Sequence, residues 1–382
     1  MTGSPSGGDQ RQIPLSLPYL DEREQELVAE VIGSGRLSLG PMGLRFERMI
    51  AERVGARFAA AVSSGTGGLH LLVRSAGIGA GDEVITTPFS FAASTNCFLY
   101  EGATPVFADI DPVTWNIDPQ ALEAAITPRT KAIVAVDIFG YPCELDPIRK
   151  LADKHGLALI DDACEALGAE YKGKPVGGHG VPAVFAFYPN KQMTTAEGGV
   201  VVTDSEAEWR LIKSLSNQGR GDGGPWLEHV RLGYNYRLDD LSAALGVGQL
   251  EKLDRIIELR SQVAERYRAL LNGVDGVALA APDDAEHKRS WFVYVVRLAP
   301  QLDREQVIDF LTREGVATSR YLPCIHLQRY MRERFGFAEG LCPQAENLSR
   351  STVALPFFTA LEGGDQERVV ATLAAAIAEA SS

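Results

Sequence analysis

The chain is short of cysteine, and the few it has are not placed to work together. The five (Cys97, Cys143, Cys164, Cys324, Cys342) are scattered through 382 residues, with no C-x-x-C pair and no His/Cys cluster at ligand spacing. Such a set argues against structural zinc and fits a reducing cytoplasm. Basic residues are short too: 37 Lys and Arg stand against 50 Asp and Glu, a formal net charge of −13. That balance argues against a general nucleic-acid or anionic-membrane surface, although one local basic pocket can still hold an anion. No apolar run approaches the ~20 residues of a transmembrane helix. The first residues, MTGSPSGGDQRQ, are polar and lack the apolar core of a signal peptide. With 45% apolar and 23% charged residues, the rest has ordinary globular composition and enough length for two domains. A soluble cytoplasmic enzyme is the expectation.

Residues 1–14 read as a flexible tail. Helices are predicted near 20–33 and 43–54, and then strands alternate with helices. The strands are FAAAVSS (58–64), DEVITTP (82–88), TPVFADI (104–110), KAIVAVDIF (131–139) and LALIDDAC (157–164). Alternation of this kind predicts an α/β fold, a mostly parallel sheet with helices on both faces. A helix follows to about Asn217, then a glycine-rich loop, Gln218–Pro225, and one long helical stretch from Leu238 to Leu271. Beyond it SWFVYVVRL (290–298) and VATSRY (316–321) read as strands, with REQVIDFLTREG between them and terminal helices near Ala345–Val353 and Asp365–Ala380. The expected division is a large domain over 15–255 and a smaller α+β domain over 256–382, beginning within the connecting helix.

Three stretches carry chemistry. VPAVFAFYPNKQMTTAEGGVVVTD (181–204) reads as strand, polar turn, strand, with Lys191 in the turn beside Asn190. A lysine held between buried strands can lose hydration, so that more of its amine is neutral and able to attack a carbonyl; the alternative is a surface lysine in a hairpin. Ser63-Ser64-Gly65-Thr66-Gly67 joins a strand to a helix, where backbone N–H groups and small residues make a phosphate site, or only a turn. Asp161-Asp162 ends a buried strand, where ligands sit in open α/β sheets; a carboxylate there calls for a cation, or it caps the next helix.

A phosphate cradle, a carboxylate for a pyridinium nitrogen and an imine-forming lysine are the protein parts of a pyridoxal phosphate enzyme. The sequence resembles the DegT/DnrJ/StrS-type sugar aminotransferases, members of fold-type I of that group, with a mostly parallel large domain and a smaller α+β C-terminal one. The likeness runs from about Ile13 to the last helix. It rests on SSGTGGLHL, TPFSFAAS, VDIFGYPCELD, LIDDACEALGAEY, FAFYPNKQMTTAEGGVVVTD and LGYNYRLDDLSAALG, in that order.

The resemblance implies that Lys191 is the internal aldimine lysine and the base that moves the proton. It implies that Asp162, rather than Asp161, pairs with the pyridine nitrogen and that Gly65, Thr66 and Gly67 form the phosphate loop. Phe91 would stack on the cofactor ring, the alternative being core packing. Asn190 and Glu165 join the cofactor site, Glu165 where Gln or His is frequent; a carboxylate beside the cofactor's phenolic oxygen would repel it unless protonated or bonded elsewhere. Phe185-Ala186-Phe187 stands where Phe-Ser-Phe is frequent, without the hydroxyl that would bond the phosphate. Asn235 matches an asparagine that reaches the neighbouring subunit's cofactor phosphate, which implies a homodimer with composite sites. Arg237 is a candidate for the donor's carboxylate, or a helix-start salt bridge. His326 resembles a substrate-proximal histidine, or a structural one. No metal site is expected.

The function implied is ping-pong transfer of an amino group from L-glutamate or L-glutamine to a nucleotide-linked keto-deoxyhexose, foremost a 4-keto-6-deoxy sugar. An aminocyclitol aminotransferase is the neighbouring alternative, and a non-catalytic cofactor-binding regulator the distant one. Neither nucleic acid nor membrane is an expected partner. A dehydratase relative carries histidine at the lysine position, and Lys191 speaks against it.

Overall fold

The structure, a computed structural model, describes residues 11–221, 225 and 228–381. Most of the expected tail and part of the Gln218–Pro225 loop lie outside the described residues. The N-terminal helices are α1 (Glu22–Ser34), closed by an Asp21–Glu24 capping box, and α2 (Pro41–Val54), opened by proline.

The expected alternation follows: β1 (Phe58–Val62), α3 (Gly65–Ser75), β2 (Glu83–Thr86), α4 (Ala93–Leu99), β3 (Thr104–Phe107), α5 (Pro119–Ala125), β4 (Thr130–Val136), α6 (Leu145–His155) and β5 (Ala158–Asp162). A short hairpin, β6 (Glu170–Tyr171) and β7 (Lys174–Pro175), precedes β8 (Ala183–Ala186) and β9 (Gly199–Thr203), and α7 (Glu206–Ser216) closes the series. The sheet runs β1-β9-β8-β5-β4-β2-β3. Its pairs from β8 through β5, β4 and β2 to β3 are parallel, while β9 is antiparallel to both neighbours. The fold is α/β with a mostly parallel sheet, as expected.

Both sheet faces are buried, because alternate residues of each strand enter different cores. Val62, Val84, Val134, Ile160, Val184 and Val201 pack with Leu69, Leu72, Phe98 and Ile212 of α3, α4 and α7. On the other face Ala59, Ala61, Phe185, Val200 and Val202 pack with Phe46 and Ile50 of α2, and Ile85 and Ile133 with Ile148 of α6.

The expected single helix over 238–271 is two, α8 (Asp240–Glu251) and α9 (Leu253–Leu271), because Lys252 leaves helical geometry at φ −120°. Then come β10 (Val277–Leu279), β11 (His287–Lys288), β12 (Tyr294–Leu298), α10 (Arg304–Arg313), α11 (Arg329–Phe335), α12 (Pro343–Ser351), β13 (Thr352–Leu355) and α13 (Gly363–Ala380). VATSRY is not a strand. It makes only single bridges, Val316 to Ile13 and Ser319 to Ala354, and the edge beside β12 is taken by β13, whose residues read as the end of a helix. This C-terminal part has its own core of Tyr267, Val296, Leu311, Val353 and Leu373.

Candidate active site

Parallel strands bring their carboxyl ends to one edge of the sheet, and a cavity of about 530 Å³ opens there. Ser64, Gly65 and Thr66 reach it from the end of β1, Ser90, Phe91 and Ser94 from the segment after β2, and Asp162, Cys164 and Glu165 from the end of β5. Tyr188, Asn190, Lys191 and Glu197 come from the turn between β8 and β9, and Phe292, Tyr321 and Leu322 from the C-terminal part.

Ser64 caps α3, its Oγ accepting from Gly67 N–H at 3.0 Å. The first-turn N–H groups of Gly65 and Thr66 have no acceptor within the helix, and the helix dipole adds partial positive charge where they lie. Gly65 is required by space. A Cβ there would come within 2.7 Å of Ala186 Cβ and 2.9 Å of Cys164 Sγ. Gly67 carries the Ser64 hydrogen bond rather than lining the cavity.

Asp162 is buried, and its Oδ2 accepts from Ser94 Oγ at 2.6 Å, which in turn lies 2.7 Å from Ser90 Oγ. Its Oδ1 accepts from Cys164 N–H at 3.3 Å. Burial, and secondarily the Asp162 charge, push the Cys164 thiol well above its ordinary pKa, so it is an inert neutral group.

Lys191 extends into the cavity with its side chain 13% exposed. Its Nζ lies 3.3 Å from Glu165 Oε1 and 4.0 Å from the centre of the Phe292 ring. Glu165 is buried and its Oε2 accepts from Phe139 N–H at 2.8 Å, so its carboxylate is bonded elsewhere, the condition under which it is compatible with a nearby phenolate. Phe139 sits at φ +53°, a left-handed conformation costly for a side chain with a Cβ. Asn190 Nδ2 reaches Tyr321 Oη at 3.5 Å, and its buried Oδ1 has no hydrogen-bond partner among the described residues. Phe91 is 66% exposed at the cavity wall, so core packing does not account for it.

A family model described as the DegT/DnrJ/EryC1/StrS aminotransferase family matches residues 18–374. The chain belongs to the DegT/DnrJ/EryC1/StrS aminotransferase family. The spore coat polysaccharide biosynthesis protein SpsC of Bacillus subtilis is 38% identical over 372 residues, 94% of this chain and 95% of that one. PseC of Helicobacter pylori, an aminotransferase involved in the biosynthesis of pseudoaminic acid, is 30% identical; its solved structure superposes with a TM-score of 0.92 over 97% of this chain and 100% of its own. Spr1654 of Streptococcus pneumoniae, solved in a PLP form, is 26% identical with a TM-score of 0.92 over 97% and 99%.

Membership in the aminotransferase family implies pyridoxal phosphate, and the donor set fits it. An acceptor for a ring nitrogen (Asp162), a helix start with close-packed glycine (Gly65, Thr66), an amine (Lys191) and an unsatisfied amide oxygen (Asn190) share one cavity.

Besides Gly67, three expected site residues lie outside the cavity. Asn235 is exposed, between Tyr234 and Tyr236, whose rings stack inward at 5.0 Å. Arg237 donates to Asn217 Oδ1 at 3.1 Å and lines a separate cleft with Lys213 and Asp240. His326 is fully buried, 3.0 Å from Glu346 Oε1 and packed on Phe107, and does not reach the cavity. It is paired instead with a carboxylate held below its ordinary pKa: burial pushes Glu346 up, but Gly340 and Cys342 N–H groups and His326 outweigh it. Ser94, Phe292 and Tyr321 carried no assigned role in the sequence. Ser94 stood inside a quoted motif, TPFSFAAS; the other two sit in stretches that read as strand.

Proposed function

We propose that the chain is a pyridoxal-phosphate-dependent transaminase that moves an amino group from L-glutamate or L-glutamine to the keto carbon of a nucleotide-linked deoxyhexose. The observation that carries the chemistry is Lys191 Nζ projecting into a cavity whose polar groups include Asp162, Glu165, a capped helix start and Asn190. The sugar half of the reading is supported by the names of relatives that make polysaccharide and pseudoaminic acid.

Pyridoxal phosphate, when bound, supplies a carbonyl for amines and an electron sink for the bonds around the amine-bearing carbon. Lys191 would hold it through Nζ and, once displaced by a donor amine, be the base that takes the proton from the amine-bearing carbon and returns it within the site. Asp162, oriented by Ser94 and Cys164 N–H, would keep a proton on the ring nitrogen. Gly65 and Thr66 N–H groups would face the phosphate, with Asn190 at its side. Phe91 and Tyr188 offer ring faces at the cavity wall.

The exposed Asn235 supports the expectation that it serves a second copy's site in a homodimer. By the same reading Arg237 acts from its own cleft or not at all, and His326 serves structure. The division into a cofactor-binding part, 15–255, and a smaller part, 256–382, belongs to this proposal, as does a cytoplasmic site of action, which the five unpaired cysteines support. Among the described residues no helix is long and apolar enough to cross a membrane.

The test is the visible spectrum of the purified protein with pyridoxal phosphate, before and after L-glutamate or L-glutamine, followed by keto sugars and keto-inositols as acceptors. The expected result is an imine band that gives way on donor addition and returns with a nucleotide-linked keto sugar. Lys191→Ala is expected to lose the band and all turnover while keeping the melting temperature within a few degrees. Normal turnover in that variant rules the reading out.

A further inference from the structure

Glu165 is the only carboxylate whose oxygen the structure places within hydrogen-bond distance of the Lys191 amine among the described residues. Both of its oxygens are committed. Oε2 takes the Phe139 N–H, which fixes the plane of the carboxylate, and Oε1 faces Nζ at 3.3 Å. Its own backbone is held as well, the Glu165 carbonyl accepting from Gln192 Nε2 at 2.5 Å, and Gln192 also donates to Ser290 O at 3.0 Å. On the side of the amine facing the C-terminal part, the Phe292 ring presents its face at 4.0 Å. Arg260 holds the backbone that carries that ring, Nη2 donating to Phe292 O at 2.6 Å and Nε to Trp291 O at 2.7 Å. A buried carboxylate and an aromatic face are both partners of an ammonium rather than of a neutral amine.

We propose that Glu165 is the proton partner of Lys191: it holds the resting ammonium and takes the proton when Nζ must become a nucleophile. This rests on the aminotransferase reading in that Lys191 is the reactive amine. In the step, an N–H bond of Nζ breaks with its electron pair staying on nitrogen, and an O–H bond forms at Glu165 Oε1. The net charge of the pair is zero before and after, so the transfer needs no counter-ion in a closed cavity.

The other titratable groups around the pair are Asp137 at the end of β4, Asp162 and Cys164 at the end of β5, Tyr188 and Glu197 in the lysine turn, and Tyr321 from the C-terminal part. Glu165 acts on several of them. Tyr321 is pushed up to about 12 by burial and then by the Glu165 charge. None of these groups is cationic; two buried guanidiniums stand behind the walls, Arg289 donating to Phe139 O and Arg260 to Phe292 O, and among the described residues Lys191 is the cation within hydrogen-bond distance of Glu165 in the cavity.

The test separates charge from shape. Glu165→Gln keeps the size and leaves an amide oxygen for Phe139 N–H, but removes the charge facing Nζ. In the protein freed of cofactor, the pH dependence of acetylation at Lys191, read by mass spectrometry of its peptide, gives the amine's midpoint. In the protein loaded with pyridoxal phosphate, the pH midpoint of the visible band gives a second, independent value. The variant is expected to lower both midpoints, because the opposite charge facing Nζ is lost. Phe292→Leu is expected to lower them by less. A labelling midpoint unchanged in Glu165→Gln overturns the proposal. If that variant does not fold, Glu165→Asp replaces it: the shorter side chain withdraws the charge, the midpoint should fall by a smaller amount, and an unchanged midpoint again overturns the pairing. Should no visible band form in the wild type, the aminotransferase reading fails, while the labelling titration still decides the pair.

Discussion

Asp161 and Asp162 end the same strand, one residue apart, and both are buried, yet they meet opposite sides of the sheet. Asp162 shares its face with Ile160 and enters the cavity, where Ser94 Oγ and Cys164 N–H donate to it. Asp161 points to the layer that holds Leu159 and Cys143, where its Oδ1 has no hydrogen-bond partner. Ligating atoms of Asp161, Asp137 and Cys143 lie within 4.8 Å of one another there. Burial first, and then the Asp137 and Asp162 charges, hold the Asp161 carboxyl well above its ordinary pKa. The pair teaches that burial alone does not make a carboxylate functional. Donors and an open cavity do.

The strongest test of that contrast is turnover. Asp162→Asn is expected to lower kcat at least ~100-fold, the scale of losing a group that stabilises charge during reaction. Asp161→Asn, which keeps the size of a side chain that faces away from the cavity, is expected to leave kcat near wild type. Equal losses would erase the distinction between the two faces.

Stability against pH sharpens the far face. The Asp137 carboxyl is raised to about 7, by burial first and then, against hydrogen bonds from Cys143, by the Asp162 and Glu165 charges. The folded state therefore binds that proton more tightly than the unfolded chain does. Its contribution is fully present below about pH 4 and disappears as pH rises through about 7, a matter of a few kcal/mol at most. Urea unfolding at pH 5 and pH 8 should show wild type losing stability at the higher pH and Asp137→Asn losing less. A wild-type curve flat between those values contradicts the buried proton.

The smallest expected effect is Ser94→Ala. Removing one hydrogen bond to a buried carboxylate is worth about 1–3 kcal/mol, so pyridoxal phosphate affinity should fall several-fold to a hundredfold with the fold intact. An absorbance titration measures it, and unchanged affinity would show that Ser94 does not support Asp162.

Much of the fold was legible because its signals are local. Valine-rich runs on either side of NKQMTTAEGG predict a hairpin, and β8 and β9 pair antiparallel with Phe185 opposite Val200. The long helical run over 238–271 hid the break at Lys252, because helical periodicity continues through a single non-helical residue. VATSRY reads as a strand by composition. In the structure it makes only isolated bridges, one of them to β13, while Thr352–Leu355 pairs with β12, since strand pairing is chosen by non-local partners. His326 is a case of chemistry read from a residue type alone: its environment, Glu346 and Phe107, comes from residues 20 and more positions away.

The sequence by itself determined the alternation of strands and helices, the family, and the presence of an amine, a carboxylate and a helix start suited to an anion. Those follow from periodicity and short motifs, in which the informative residues are neighbours along the chain. Only the tertiary structure decided which aspartate faces the cavity, that Ser94 supports it, and that Glu165 and Phe292 flank the Lys191 amine from either side. Each of those relations joins residues tens to a hundred positions apart. They exist because parallel strands carry their ends to a common edge and Arg260 anchors the C-terminal backbone that bears Phe292 beside it, and no local pattern records that convergence.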